Sequence, residues 1–313
     1  MVSKSKILVT GASGYVGSSL CNYLDKKGNN TIKVSKKNIK NRVNLNLKLE
    51  SSWEKIFEKS DKIVHLSAVT SLHQCEKNRS KTNKENILPI KKLIVAAKKI
   101  NFKPHIIFAS TATIYGSVRK YPVSEKKKVN PSSVYDNQKL TCEKLLKNAS
   151  KEGILRSTVL RFSNIYGPSF SDTHFIDRGI LNKIINKAIS GNNITIYGHG
   201  NYLRDYIYIT DVISAIDYSL RLQKKSFKIY NVGTQKYNSI KKVFNIIKKR
   251  INKSDNSKIL INYCPWPISS HKIEKRNFVA DISKIKNELG WSPQIDIDMG
   301  IKKTINFFRR KNL

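Results

Sequence analysis

Three glycines near the start of the chain, spaced G-x-x-G-x-x-G, restrict its fold more than any other feature. Gly11, Gly14 and Gly17 follow a short apolar run at residues 7–9, and a helical pattern begins at Tyr15. An apolar run of this kind is typical of a buried parallel strand. The glycines allow a tight turn, a close approach of the backbone to a phosphate, and close packing of helix on strand. The stretch therefore predicts a strand–turn–helix unit that seats the pyrophosphate of a dinucleotide.

Apolar runs and helical patterns alternate through the first half of the chain. After the glycine turn, buried strands are predicted at residues 31–34, 62–66, 105–109 and 157–161, with helical patterns between them. Alternation at this rhythm indicates βαβ units with right-handed crossovers. The sequence therefore predicts an α/β protein with a Rossmann-like, doubly wound parallel sheet.

The rhythm breaks after the Gly-Pro pair at residues 167–168. Helical patterns at 177–190, 211–222, 239–251 and from 298 onward, with one short strand at 194–197, are separated by irregular loops. We expect a dinucleotide-binding domain at residues 1–168 and a smaller, mostly α lobe at residues 169–313. Some of the later segments are expected to return to the first domain.

The formal net charge of the chain is +37. Such a charge is typical of proteins that bind nucleic acids or anionic membranes. The lysines, however, are spread over nearly every predicted helix and loop, and no segment interleaves them with aromatic residues. A composition rich in lysine, asparagine and isoleucine, as AT-rich codons supply, explains the excess. We therefore predict no nucleic-acid or membrane partner, and expect the charge to attract an anionic substrate.

The cysteines and the apolar runs indicate the cellular compartment. The cysteines are scattered, with no C-x-x-C pair and no histidine at metal-ligand spacing, so we expect reduced thiols and no metal site. No apolar run approaches the roughly 20 residues of a membrane-spanning helix. The first strand begins too early for a signal peptide. The sequence thus predicts a cytoplasmic protein.

A tyrosine and a lysine lie one helical turn apart in the middle of the chain. Tyr135 and Lys139 share one face of a predicted helix. A phenol is a poor base at neutral pH, and a neighbouring ammonium group favours the phenolate. Ser110 and Thr111 follow a buried strand, where such sheets place groups that face a ligand. These residues suit proton transfer. The alternative interpretation is that Tyr135 and Lys139 are a surface pair and that Ser110 and Thr111 only form the turn at the end of the strand.

Seven blocks of sequence together resemble the extended short-chain dehydrogenase/reductase family, which includes the nucleotide-sugar epimerases and dehydratases. The blocks are G-A-S-G-Y-V-G at 11–17, H-L-S-A at 65–68, A-S-T-A-T-I-Y-G at 109–116, Y-D-N-Q-K at 135–139, L-R-F-S-N-I-Y-G-P at 160–168, L-R-D-Y-I-Y-I-T-D-V at 203–212, and A-D-I-S-K with L-G-W-S-P at 280–293. The resemblance covers nearly the whole chain. It implies a Rossmann fold that binds NAD(P) and a nucleotide sugar.

The resemblance also implies roles for individual residues. Tyr135 would take the proton from a sugar hydroxyl while the adjacent C–H gives up a hydride to nicotinamide. Thr111 would share the hydrogen bond, and Lys139 would tune Tyr135 and hold the cofactor. Thr111, Asn164 and Arg204 would contact the substrate, with Arg204 on the diphosphate. The residues expected at the cofactor are Gly11, Ser13, Gly14, Tyr15, Val16, Gly17, Ser35, Lys36, Asn44, Leu45, Leu66, Ala68, Asn86, Ser110, Tyr135, Lys139 and Phe162.

The end of the second strand departs from the family pattern. NAD-binding proteins usually carry an acidic residue there, whereas residues 34–37 read V-S-K-K. Ser35 and Lys36 suit the 2′-phosphate of NADP, so NADP(H) is slightly favoured over NAD, with the general lysine excess as the alternative explanation. Asn44 and Leu45 replace the family's Asp-Leu at the adenine.

The substrate side departs from the pattern at three places. No Asp-Glu pair follows Thr111, which argues against a dehydratase. The family's substrate Asn-Leu is replaced by G-I-L at residues 179–181. The second diphosphate arginine is missing, with His271 or Lys272 near its place. The sequence therefore leaves the nucleotide and the sugar open.

The resemblance favours an NAD(P)-dependent nucleotide-sugar epimerase that acts at C4 through a keto intermediate. An NADPH-dependent reductase of nucleotide 4-keto-sugars, in the same cell-surface polysaccharide pathways, is the alternative. A non-catalytic nucleotide-binding protein is a third interpretation, against which the intact Thr111, Tyr135 and Lys139 argue. The family's homodimer would use helices at residues 79–100 and 135–150, but the lysines on both helices leave a monomer open.

Overall fold

The structure is a computed structural model that describes residues 6–36, 41–169, 179–222, 227–255, 258–268 and 270–311. The first residues of the helix predicted at 177–190 therefore lie outside the described part, and that helix is described from residue 180. The strands are β1 Lys6–Thr10, β2 Asn30–Ser35, β3 Val43–Asn44, β4 Lys62–His65, β5 His105–Thr111, β6 Arg156–Phe162, β7 Asn164–Tyr166, β8 Ile194–Tyr197, β9 Leu203–Arg204, β10 Tyr206–Tyr208, β11 Phe227–Val232, β12 Asn238–Ser239 and β13 Ile261–Cys264.

The helices alternate with the strands in the first half of the chain and dominate the second. They are α1 Tyr15–Lys26, α2 Glu50–Phe57, α3 Leu72–Lys77, α4 Arg79–Asn86, α5 Leu88–Lys99, α6 Val134–Lys151, α7 Ile180–Ile189, α8 Ile209–Leu220, α9 Ile240–Asp255, α10 Ser283–Leu289 and α11 Ile297–Lys311. Among the described residues, none of these helices is both long and apolar enough to cross a membrane.

Seven strands form the central sheet, in the order β3-β2-β1-β4-β5-β6-β11. Every neighbouring pair in it is parallel. The order reverses between β1 and β4, and ligands of open α/β sheets bind outside the carboxyl ends of the strands at such a point. The predicted Rossmann-like α/β fold is confirmed.

Alternate residues of the strands feed two separate cores, one on each face of the sheet. Leu8, Ile63 and Ile106 pack with the apolar sides of α2, α5 and α6. Their neighbours Val9 and Val64 belong to the larger core on the opposite face, which includes residues of α1 and α8. Since both faces are covered, the strands read as continuous apolar runs, which explains why they were predictable.

The second half of the chain contains more strands than the sequence predicts. Three short pairs form outside the central sheet: β7 with β10, β8 with β13, and β9 with β12. In addition, β11 joins the central sheet beside β6, and α8 packs against α1. The mostly α description of this half is therefore incomplete, because it omits these short strand pairs.

Candidate active site

The turn between β1 and α1 is a cradle that only glycine can form. Gly11 has a φ of +68°, and its carbonyl accepts a hydrogen bond from the Gly14 amide at 2.8 Å. A Cβ atom on Gly17 would lie 2.1 Å from that carbonyl oxygen. Gly14, the N-cap of α1, makes no side-chain cap bond to the first amides of the helix. The N-terminus of α1 therefore fits a pyrophosphate, as a dinucleotide requires.

The glycine turn packs directly against the loop that follows β4. A Cβ atom on Gly11 would lie 2.8 Å from the Ser67 amide nitrogen. The Leu66 amide donates to the carbonyl of Thr10 at 3.3 Å. Leu66 and Ala68, both predicted at the cofactor, are half-buried beside this turn. Two segments distant in sequence thus form one wall at the carboxyl edge of the sheet.

Thr111, Tyr135 and Lys139 come from β5 and α6, which pack against each other. Thr111 is the last residue of β5, and Tyr135 lies in the first turn of α6. The Lys139 ammonium group donates to the Ala109 carbonyl at 2.7 Å and lies 5.8 Å from the centroid of the Tyr135 ring. The three predicted catalytic residues therefore meet at the carboxyl end of β5.

Burial governs the protonation of Tyr135 and Lys139. Loss of solvent lowers the pKa of Lys139 to about 8. Burial raises the pKa of Tyr135 well above its usual range, and the charge of Asp136 raises it further. Because burial alone favours the neutral phenol of Tyr135, a positive charge beside the ring favours the phenolate. The tuning of Tyr135 by Lys139 stays a prediction.

A buried polar network fixes the strands beside the site. Arg161 donates two hydrogen bonds to the Glu143 carboxylate, at 3.1 and 2.6 Å, and one to the Tyr115 hydroxyl at 2.8 Å. Ser110 donates to the same carboxylate at 2.5 Å, and Tyr115 donates to Asn231 of β11 at 2.8 Å. The network joins β5, β6, α6 and β11 into one unit. The hydroxyl hydrogen of Ser110, a residue predicted at the cofactor, is directed to Glu143.

Two residues that the sequence analysis did not assign also lie at the site. Thr111 caps the short 3₁₀ helix Ala112–Tyr115, and its hydroxyl oxygen accepts from the Thr113 amide at 3.2 Å. The hydroxyl oxygens of Thr111 and Thr113 are 2.8 Å apart, and Thr113 donates to the Asp136 carboxylate. Asp136 is completely buried. A carboxylate therefore lies near Thr111 although no acidic residue directly follows Thr111 in sequence.

A lysine that follows β2 is paired with a carboxylate from α4. The Ser35 hydroxyl donates to that of Ser13 at 3.0 Å. The Lys36 ammonium group lies 3.2 Å from both oxygens of Glu85, which also accepts from Lys48 at 3.0 Å. Residue 37, the second lysine of this stretch, lies outside the described residues. An acid from α4 thus stands where the strand itself offers none.

Two buried arginines lie together in the second half of the chain. The Arg204 guanidinium donates to the backbone carbonyls of Leu203, Glu274 and Arg276. Arg276 donates to the Ile273 carbonyl at 2.7 Å, and its Nε is buried without a partner among the described residues. Burial lowers the pKa of Arg276 to about 10, and the charge of Arg204 adds to this effect.

Among the described residues, the aspartates near Arg204 in sequence are bonded to other groups and not to its guanidinium. Asp205 accepts hydrogen bonds from the amides of residues 234, 235 and 280 and from the Thr234 hydroxyl. Asp211 accepts from the amides of residues 294 and 295. Since Arg204 instead donates to neutral carbonyls, its positive charge is available for an anion.

His271, predicted near the second diphosphate position, caps the 3₁₀ helix Lys272–Lys275. Its Nδ1 accepts from the Ile273 amide at 3.2 Å, and its Nε2 lies 3.8 Å from the Glu76 carboxylate. The side chain of Lys272 lies outside the described part of the structure. The basic residue that the structure brings beside Arg204 is Arg276, which sequence analysis missed. In the sequence, Arg276 differs from its basic neighbours only in being an arginine that follows lysines, which is a weak signal.

Tyr15 and Asn86 tie the cofactor side to the rest of the fold. The Tyr15 hydroxyl donates to the Gly167 carbonyl at 2.7 Å, which joins the first turn of α1 to the segment that follows β7. The buried Asn86 side chain accepts from the Val69 amide at 2.7 Å and donates to Gln138 at 2.6 Å. Asn86 thereby fixes the loop after β4 against α6.

The remaining predicted residues lie along the same carboxyl edge. Phe162 ends β6 and is buried, and Asn164 begins β7 with a partly exposed side chain. Val16 of α1 is partly buried against the larger core. Asn44 is exposed at the end of β3, the outermost strand, and Leu45 follows it half-buried. Asn44 and Leu45 therefore lie furthest from Thr111 in strand order.

Comparison with known proteins gives the same family along most of the chain. A family model described as the NAD dependent epimerase/dehydratase family matches residues 7–233. The UDP-glucose 4-epimerase of Lactobacillus helveticus is 28% identical over 313 residues, which cover 92% of each chain. The crystal structure of UDP-glucose 4-epimerase from Thermotoga maritima with UDP-glucose superposes with a TM-score of 0.87 at 26% identity, covering 98% of this chain and 100% of that one.

A further solved structure supports the fold. The UDP-glucose 4-epimerase of Thermus thermophilus, in complex with NAD, has a TM-score of 0.82 and 24% identity, covering 97% of this chain and 99% of that one. The family model spans the glycine turn, β5, α6 and the strand that closes the sheet. The protein therefore belongs to the NAD dependent epimerase/dehydratase family, and it is an enzyme of the extended short-chain dehydrogenase/reductase type.

Proposed function

We propose that the protein is a UDP-sugar 4-epimerase that works by reversible hydride transfer. The observation that carries the proposal is the convergence of Thr111, Tyr135 and Lys139 at the carboxyl end of β5. These residues lie at the sheet edge that also holds the glycine cradle. The relatives that act on UDP-glucose match this chain over nearly its full length. UDP is therefore the nucleotide we propose, and the carbon is C4.

In this proposal Tyr135 takes the proton from the sugar hydroxyl when the alcohol is oxidised, and returns it when the ketone is reduced. Thr111 contacts the same oxygen. Lys139, held by the Ala109 carbonyl, presents its ammonium group to the ribose of the cofactor. Nicotinamide, when bound, supplies the hydride acceptor and a positive charge that favours the Tyr135 phenolate. The protonated tyrosine dominates otherwise, because burial raises its pKa.

We propose NAD as the resident cofactor. The predicted preference for NADP rests on Ser35 and Lys36, but the ammonium group of Lys36 is paired with Glu85. A 2′-phosphate would have to compete with that carboxylate for Lys36. The carboxylate can instead accept hydrogen bonds from ribose hydroxyls, as an acid at this place does in NAD-binding folds. The family description also names NAD.

We propose that Arg204 and Arg276 bind the diphosphate of the nucleotide sugar. Both guanidinium groups are at least nine-tenths buried, and the charge of Arg204 helps to lower the pKa of Arg276. Two buried like charges are stabilised when an anion lies between them. The buried Nε of Arg276 offers a donor that has no partner among the described residues.

The decisive experiment measures interconversion of UDP-glucose and UDP-galactose by the purified protein. Conversion without net consumption of cofactor supports the epimerase. Stoichiometric oxidation of NADPH with a keto sugar would identify a reductase instead. We expect Tyr135→Phe to lower kcat by at least about 100-fold, because it removes the proton-transfer group, while NAD still binds. Tyr263→Phe, an exposed tyrosine on β13, is the control and should keep full activity.

The diphosphate proposal has its own test. We expect Arg276→Gln to weaken the affinity for UDP by about 10- to 100-fold, since charged hydrogen bonds to phosphate are lost. Arg156→Gln is the matched control, because Arg156 begins β6 and so lies at the end of that strand away from the site. Calorimetric titration with UDP measures both. An Arg276 variant that folds and binds UDP as well as the native protein would refute the role.

The assembly and the compartment are proposals of the same kind. The homodimer would use α4, α5 and α6, where Val95 is an exposed apolar side chain on α5. Light scattering of the native protein and of Val95→Glu tests this interface. We also propose action in the cytoplasm, because all four cysteines are free thiols and reducing compartments maintain them. Its product would then supply cell-surface polysaccharide synthesis.

A further inference from the structure

The hydroxyl relay, formed by Thr111, Thr113 and Asp136, connects the proposed catalytic threonine to a buried carboxylate. Thr113 lies in the middle, 2.8 Å from Thr111 and hydrogen-bonded to Asp136. Neither Thr113 nor Asp136 contacts the substrate in the proposed mechanism, and Asp136 enters it only because its charge raises the pKa of Tyr135. Asp136 immediately follows Tyr135 and lies in the first turn of α6, where the helix dipole favours a negative charge.

The direction of each hydrogen bond in the relay follows from the number of hydrogens available. An ionised carboxylate only accepts, and a threonine hydroxyl has one hydrogen to give. Thr113 gives its hydrogen to Asp136. In the contact between the two threonines, Thr113 therefore has only a lone pair to offer, and Thr111 must be the donor.

This direction leaves Thr111 without a hydrogen for the substrate. Its hydroxyl hydrogen points to Thr113, and one lone pair accepts from the Thr113 amide at 3.2 Å. The remaining lone pair can accept a hydrogen bond. While Tyr135 is protonated and its phenol donates to the sugar oxygen, an alcohol can still donate its own hydrogen to Thr111, whereas a ketone oxygen has no hydrogen to donate.

We propose that Asp136, acting through Thr113, is a positioning residue that makes Thr111 a hydrogen-bond acceptor, so that the site favours the alcohol forms of the sugar over the ketone. This inference rests on the proposed epimerase. Its consequence is a low population of the keto intermediate, which keeps the oxidised sugar from accumulating or escaping. Without the relay, the hydrogen of Thr111 is released and stabilises the ketone.

Other charged groups near the relay do not set this direction. Arg276 feels the charge of Asp136, but its hydrogen bond goes to the Ile273 carbonyl. The Asp136 amide donates to the Ser133 hydroxyl at 3.1 Å, which fixes the backbone and not the carboxylate. The second carboxylate oxygen of Asp136 is buried with no partner among the described residues. The bond to Thr113 is thus the contact through which the carboxylate acts on Thr111.

The test compares the fraction of bound nicotinamide that becomes reduced when UDP-glucose is added at equilibrium. Thr113→Val has the same shape but cannot accept the Thr111 hydrogen, so we expect the reduced fraction to rise about fivefold, the factor that one net hydrogen bond represents. Asp136→Asn removes the acceptor-only group and should also raise the reduced fraction, but by less than Thr113→Val, because loss of the Asp136 charge lowers the pKa of Tyr135. The double variant should show no more than Thr113→Val alone. Thr113→Ser keeps the hydroxyl and should match the native protein.

The outcomes separate the relay from the proposed function. If the native protein does not epimerise UDP-sugars, the proposed function fails and the relay falls with it. If the native protein is active but Thr113→Val and Asp136→Asn leave the reduced fraction unchanged, the relay alone is refuted. Thermal unfolding of each variant identifies loss of fold, and Asp136→Asn provides the test should Thr113→Val fail to fold. A rise in Thr113→Ser equal to that in Thr113→Val also refutes the relay.

Discussion

Lys36 and Glu85 form an ion pair at the end of β2, between residues that lie far apart in sequence. Lys36 is largely exposed, and Glu85 is shared with Lys48 from the opposite side. The carboxylate therefore neutralises part of the charge that would attract a 2′-phosphate. We therefore expect the selection between NAD and NADP to depend on this acidic side chain of α4.

Removal of this carboxylate should change cofactor preference. We expect Glu85→Gln to shift the ratio of affinities toward NADP by about tenfold, because freeing the lysines for a phosphate is worth about 1.4 kcal/mol. Lys36→Glu should weaken NADP more than NAD. Fluorescence titration with each cofactor measures the ratio. Glu54→Gln, which breaks a surface pair with Lys99 on the far side of α5, is the control; equal effects in the two glutamate variants would contradict the assignment.

The sequence predicted some residues of the site and not others, for a physical reason. Tyr135, Lys139 and Thr111 lie next to patterned elements, so their positions follow from the helix period and the strand end. Arg276 and Asp136 become informative only through burial, which depends on tertiary packing. A lone arginine among lysines, or an aspartate in a helix, reads as a surface residue until the fold encloses it.

At the scale of elements, two central strands carry buried histidines. His65 of β4 contacts the Thr10 hydroxyl at 3.0 Å and stacks on Phe108. His105 of β5 contacts the Thr158 hydroxyl at 3.0 Å. Burial lowers the pKa of His65 to about 3 and that of His105 to about 4. Both rings are therefore neutral in the folded protein at every pH at which it is expected to work.

These histidines should make the fold sensitive to acid. Unfolded histidines take up protons below a pH of about 6.5, whereas the folded ones do so only near their lowered pKa. Between the lowered pKa and about 6.5 the unfolded state thus binds more protons than the folded state. As the pH decreases through this window, the free energy of unfolding decreases by about 1.4 kcal/mol per pH unit for each histidine. Urea unfolding between these limits measures the slope. His65→Asn should reduce it, and His73→Asn, at an exposed position, should leave it unchanged.

The strands were predictable to different degrees. β1, β4 and β5 are covered on both faces, so each contains an apolar run that the sequence marks clearly. β11 was missed because its sequence, F-K-I-Y-N-V, mixes polar with apolar residues. Its Asn231 is completely buried and bonded to Tyr115 and to the Val123 carbonyl. A polar residue that stabilises a strand through distant partners gives no local signal.

At the scale of the whole molecule, charge dominates. The chain has 59 lysines and arginines against 22 acidic residues. Many described acidic side chains are already paired with these cations. The excess positive charge therefore surrounds the molecule as a long-range field that attracts anions.

This field should speed the capture of a nucleotide sugar. We expect kcat/KM for the UDP-sugar to fall about tenfold between about 0.02 and about 0.5 M salt, because screening shortens the range of the attraction. The value of kcat should stay constant, since the buried site is screened much less. Initial rates at several salt concentrations measure both. A kcat/KM that does not vary with salt would show that the field has no part in capture.

The chain crosses repeatedly between the two halves of the fold. Near the C-terminus, Val279 and Asp281 hydrogen-bond with Val123, at 2.8 and 2.9 Å, and β11 completes the sheet beside β6. A single recombination crossover between β6 and β11 would therefore pair strands from two different parents in one sheet. We expect such chimaeras to fold only when both parents carry compatible residues along this strand pair.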